Sequence, residues 1–129
     1  MNGWGAQLAL VMAGGALGAG LRFWLGGALL RRLGGGLPWG TLAANLLGAF
    51  AIGFLAEWLQ DRGPAAPYWR AFLIVGVLGA LTTYSTLMLE LLLFARGARL
   101  GPAVLYLGLT LAAGALLVFA GARLGALLR

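Results

Sequence analysis

Apolar residues run along this chain in four long stretches, at 8–30, 39–58, 71–95 and 102–128. Each reaches the roughly 20 residues that a helix needs to cross about 30 Å of hydrocarbon. The connectors between them are short: Arg31-Arg32-Leu33-Gly34-Gly35-Gly36, Gln60-Asp61-Arg62-Gly63-Pro64 and Arg96-Gly97-Ala98-Arg99. They hold most of the charge and many of the glycines and prolines that mark loops. Trp4, Trp24, Trp39, Trp58, Tyr68 and Trp69 fall near the ends of the stretches. Amphipathic rings collect there, at the membrane–water boundary. The pattern predicts an all-α membrane protein, with four transmembrane helices in one domain over 1–129 and no separate soluble domain. The first ten residues lack a positive start, so the first stretch is expected to be a permanent span rather than a cleaved signal.

Composition agrees with lipid as the solvent. Hydrophobic residues make up 62% of the 129 and charged residues only 9%, against about 25% in soluble domains. The net charge is +6, from nine arginines against Glu57, Asp61 and Glu90. The arginines stand singly or in pairs between apolar runs and form no basic stripe. They therefore read as charges flanking spans, and no nucleic-acid partner is expected. With no cysteine and no histidine, disulfides, thiol chemistry and common zinc sites are excluded. No nucleophile–base pair and no phosphate loop is present, so no enzyme is expected.

The charges also bear on orientation. One set of loops and ends carries Arg31, Arg32, Arg96 and Arg99, and the other carries Arg62, Arg70, Arg123 and Arg129. Four against four gives the positive-inside rule almost nothing to act on. A chain without bias can insert both ways round. If the two orientations pair, the two-fold axis lies in the membrane plane. Gly14 and Gly18, and again Gly121 and Gly125, are spaced four apart, which lets helix backbones approach closely.

Polar groups inside spans are costly and point to function by default. Asn45 lies about 9 Å below Trp39 along the second span. It offers two N–H donors, for an interhelical hydrogen bond or for a ligand. The third span carries Gly79-Ala80-Leu81-Thr82-Thr83-Tyr84-Ser85-Thr86 in its middle. Glycines beside β-branched threonines predict a helix broken in mid-membrane. Backbone freed at that depth survives only when buried in protein or lining a cavity. Its carbonyls are satisfied by a cation, or the kink is repaired by neighbouring hydroxyls. In the fourth span Tyr106 and Thr110 share a face. Hydroxyls there, facing Asn45 and Ser85, would form a narrow track of neutral donors. Such a track suits a small, strongly hydrated anion that must leave as easily as it enters. Arg22 either snorkels to the interface or serves the site. Glu90 is a vestibule charge or a salt-bridge partner.

Four stretches resemble the Fluc (also called CrcB) family of fluoride channels. They are Gly14-Gly15-Ala16-Leu17-Gly18-Ala19-Gly20-Leu21-Arg22-Phe23, Gly40-Thr41-Leu42-Ala43-Ala44-Asn45-Leu46-Leu47-Gly48, Gly79-Ala80-Leu81-Thr82-Thr83-Tyr84-Ser85-Thr86, and the Tyr106/Thr110 pair. The resemblance covers essentially the whole chain, in order. It implies passive fluoride export across the cell membrane by a dual-topology homodimer with two antiparallel pores. It further implies a structural sodium ion (Na+) held by the backbone carbonyls of Gly79 and Thr82 from each subunit. Asn45, Tyr84, Ser85, Thr86, Leu87, Tyr106 and Thr110 map to the anion pathway. Arg22 and Glu90 map to vestibule or structural charges. The family typically has phenylalanines where this chain has Tyr84 and Leu87, and Gly114 stands where another hydroxyl would extend the stripe.

Two other readings compete. A small multidrug-type transporter is also a four-helix, dual-topology protein, but it needs a carboxylate in its first span, where this chain has Arg22. A non-conducting partner subunit of a heterodimeric channel would fit the altered Tyr84/Leu87 pair.

Overall fold

A computed structural model describes residues 3–129 and is helical almost throughout. The first span is α1 (Gly3–Leu33). Arg31 and Arg32 in its last turn face the negative end of the helix dipole. Gly34 stops it, with φ at 76° and its N–H on the Leu30 carbonyl at 3.0 Å. That left-handed conformation comes without strain only to glycine. The second span is α2 (Trp39–Trp58), which starts behind Pro38, a residue that cannot continue a helix backwards. The fourth is α6 (Leu100–Leu128).

The third span is composite. A 3-10 turn (Gly63–Ala65) leads into α3 (Ala66–Trp69), a π-helical stretch (Arg70–Leu78) and α4 (Gly79–Leu81). Thr82 and Thr83 then have extended dihedrals, −82°/153° and −151°/126°. Helix resumes as α5 (Tyr84–Arg96), capped by Thr83, whose hydroxyl accepts from the Thr86 N–H at 3.3 Å. A threonine hydroxyl at that position satisfies a donor that the helix itself cannot.

The helices associate in two pairs: α2 runs along α6, and α1 runs along the π-helical stretch. Small residues allow both. A Cβ placed on Gly14 or Gly18 would meet the Phe72 and Val77 carbonyl oxygens, and one on Gly121 or Gly125 would meet those of Phe50 and Phe54. In lipid, where no hydrophobic effect draws helices together, such backbone-close packing is a main source of association. Leu42, Leu87, Phe94 and Tyr106 form one buried cluster, and Ala44, Leu78 and Leu81 another.

Among the described residues, four helices are long and apolar enough to cross a bilayer, and only 6–22% of each one's most apolar window is buried within the chain. So much exposed apolar surface requires lipid or a further protein face around it. The chain is a multi-pass integral membrane protein.

Candidate functional site

Two polar rungs join α2 to the third span. The first is at the extended pair. Asn45 donates through Nδ2 to the Thr83 carbonyl at 3.2 Å and accepts the Thr83 N–H on Oδ1 at 2.8 Å. One side chain thus satisfies both backbone groups of a residue that has left the helix. The second rung lies one helical turn along, at Thr41 on α2 and Glu90 on α5. The Thr41 hydroxyl donates to Glu90 Oε1 at 2.6 Å, and the Tyr106 hydroxyl of α6 donates to Glu90 Oε2. Four residues separate Thr41 from Asn45, so the two rungs leave one face of α2 about 6 Å apart along its axis.

Between the rungs sit the remaining hydroxyls of the third span. Thr83 Oγ1 donates to Thr86 Oγ1 at 3.2 Å and lies 3.4 Å from Ser85 Oγ. Ser85 is exposed, and Tyr84 is 74% exposed. Glu90 lines two adjoining openings of about 290 and 180 Å³, bounded by residues such as Leu37, Pro38 and Leu30 at one end of the molecule. The row therefore leads from a carboxylate facing an opening to the extended backbone at Thr82 and Thr83.

Not every pathway candidate joins this row. Tyr106 joins it only at the second rung: its ring is fully buried, and its hydroxyl is turned to Glu90, not to Asn45. Thr110 shares the Tyr106 face as its spacing requires, but its Oγ1 donates to the Tyr106 carbonyl at 2.8 Å. A threonine inside a helix commonly bonds back this way. Leu87 lies in the apolar cluster beside Tyr106. Arg22 reaches into the fold, its Nε donating to the Ala80 carbonyl at 3.1 Å near the end of α4. Two participants carry no mark as candidates in the sequence reading: Thr41 and Thr83. Thr41 was signalled by its four-residue spacing from Asn45. Thr83 enters through its backbone, which no side-chain pattern announces.

Among the described residues, no group of three or more acids, histidines or cysteines comes together. A cation would have to use main-chain oxygens. Two are released from the helical ladder. The N–H four residues beyond Gly79 belongs to Thr83 and is bonded to Asn45; the one four beyond Thr82 belongs to Thr86 and is bonded to the Thr83 hydroxyl. Gly79 and Thr82 also line a shared recess of about 260 Å³ with Asn45 and Gly48, and Gly79 is exposed.

The second rung makes a stability test. Replacing Glu90 by leucine orphans the Thr41 and Tyr106 hydroxyls, at about 1–3 kcal/mol each. Glu90→Gln keeps an acceptor and should cost less than half as much. Thermal unfolding in detergent should rank wild type above Gln above Leu; equal midpoints for Gln and Leu would contradict the rung.

The family model described as CrcB-like protein, Camphor Resistance (CrcB), matches residues 9–129. A protein of Xylella fastidiosa (strain 9a5c), named a fluoride-specific ion channel, is 57% identical over 123 residues, which are 95% of this chain and 86% of the relative. A protein of the same name from Xanthomonas euvesicatoria is 57% identical over 122 residues, 95% of this chain and 92% of its own length. Another, from Thermus thermophilus, is 47% identical over 116 residues, 90% of this chain and 91% of its own.

Proposed function

Because the chain belongs to the CrcB-like family, we propose that it is a fluoride-specific ion channel, passive rather than enzymatic, that lets fluoride leave the cell. The observation that carries this reading is the 57% identity to a fluoride-specific ion channel over 95% of the chain. The same identity outweighs a small multidrug-type transporter. Expression in a bacterium stripped of its own fluoride exporters should restore growth in fluoride. Failure to rescue, with the protein present in the membrane, would contradict the reading.

Fluoride passes along the face that carries the two rungs. Asn45, Ser85, Thr86, Thr41 and Tyr106 are neutral donors, and a small anion that has shed water needs several of them without a fixed positive charge to trap it. The Thr41 and Tyr106 hydroxyls are each bonded to a Glu90 oxygen. An anion arriving from the opening competes with the carboxylate for those two protons, so binding and release differ by exchange of partners. The Tyr84 ring presents an electropositive edge on the same side of the break.

The channel is a dimer of this chain with its two copies in opposite orientation, two pathways, and the interruption of the third span at mid-membrane. The balanced arginines support dual orientation. The exposed recess at Gly79 and Thr82 supports a second copy closing over it. A structural sodium ion fits there: carbonyl oxygens are the ligands a hard cation takes, and the carbonyls of Gly79 and Thr82 have lost their helical donors. Such an ion would fix the two interruptions against each other.

Reporters fused to the C-terminus, active on opposite sides of the membrane, should both give signal. Adding two or three arginines to one loop set should silence one reporter and lower fluoride efflux. Signal from one side only in the unmodified chain would contradict dual orientation.

A further inference from the structure

Where α2 ends and the third span begins, Trp58, Leu59, Arg62, Trp69 and Leu73 surround an apolar groove of about 380 Å³. None of them belongs to the polar rungs. Arg62 is held at its edge in two ways: its Nε donates to the Trp58 carbonyl at 3.0 Å, and its guanidinium carbon lies 4.1 Å from the centre of the Trp58 ring. Its terminal amino groups make no hydrogen bond or ion pair among the described residues. Asp61, Glu57 and Arg70 are the charged groups nearest in sequence. Glu57 is paired with Arg129 at 3.4 Å; Asp61 and Arg70 are exposed, and Asp61 forms no ion pair with Arg62.

The position decides what fits. The groove lies at the ends of two spans, beside Tyr68 and Trp69, at the level where acyl chains meet headgroups. Acyl chains are the apolar matter available there, and phosphate is the available anion. A guanidinium held by one nitrogen still presents a planar pair of N–H groups, which match two phosphate oxygens. Arg62 and Arg70 together, with no acid paired to them, favour a headgroup with net negative charge.

We infer that this groove binds one anionic phospholipid, with an acyl chain between Trp58, Trp69 and Leu73 and the phosphate on the Arg62 guanidinium. The site is independent of which ion the channel carries, so its failure would leave the fluoride reading untouched.

Native mass spectrometry of the full chain tests it, with phosphatidylglycerol and phosphatidylcholine of identical acyl chains as probes. The wild type should retain phosphatidylglycerol about fivefold better, the preference expected of one basic residue at the membrane surface. Arg62→Gln should abolish that preference and Arg62→Lys should keep most of it. Arg96→Gln, at the other end of the molecule, should leave it within about twofold. Leu73→Trp, which fills the groove, should lower retention of both lipids. A wild type without preference, or an Arg62→Gln variant that keeps it, would overturn the inference. So would a Leu73→Trp variant that loses its dimer while retaining lipid unchanged, since the groove would then belong to a second copy of the chain.

Discussion

Asn45→Asp is expected to lower fluoride efflux at least roughly tenfold, the effect of about 1.4 kcal/mol on a barrier. In the wild type the amide nitrogen gives a proton to the Thr83 carbonyl while the amide oxygen takes one from the Thr83 N–H. Aspartate keeps the shape and the second bond. It sets an oxygen against the Thr83 carbonyl oxygen in place of the first, and it adds a negative charge on the proposed anion path. Both changes act at the extended pair that interrupts the third span. Tyr84→Phe is the matched mild change. Its ring edge survives, its hydroxyl has no protein partner among the described residues and it is 74% exposed, so efflux should stay within about twofold, under 0.5 kcal/mol on the barrier. An Asn45→Asp protein that stays folded and conducts at the wild-type rate would show that fluoride does not pass this residue.

Gly18→Val should remove most folded protein. A Cβ at Gly18 would sit against the carbonyl of Val77 and within 3.1 Å of the Ala80 side chain. A main-chain carbonyl inside a packed span cannot swing aside as a side-chain tip can. Relief therefore requires α1 to move off the π-helical stretch, at a cost of about 3 kcal/mol or more. Gly15 is the control, because a Cβ there meets nothing within 4 Å. Gly15→Val should keep nearly the wild-type melting midpoint in detergent, while Gly18→Val should melt far lower or fail to purify. Similar midpoints for the two variants would contradict the close crossing of α1 and the third span.

The spans were legible because the bilayer dictates their length, and long apolar runs have few other uses. Their ends were less so. The first helix starts at Gly3 and runs to Leu33, beyond the apolar run on both sides, since a helix continues through the interface once polarity no longer penalises it. The π-helical winding over Arg70–Leu78 has no signature in those residues. The extended dihedrals fall at Thr82 and Thr83, beside Gly79. What holds them was hidden, because Asn45 grips backbone, and backbone is the same at every position. The Tyr106/Thr110 spacing places both on one face of α6, but spacing does not say where a hydroxyl turns. Glu90 and the Tyr106 carbonyl, each the nearer acceptor, take the two protons. The carboxylate was visible in the sequence, whereas its joint hold by Thr41 and Tyr106 needed three helices brought together.

The most direct measurement is fluoride efflux from liposomes that contain this purified chain and no other protein, followed with a fluoride electrode. Rapid fluoride release, absent from protein-free liposomes and far exceeding chloride release under the same gradient, is the expected result. Liposomes that hold folded protein yet release no more fluoride than empty ones, or release chloride equally fast, would contradict the assignment of this chain as a fluoride-specific channel.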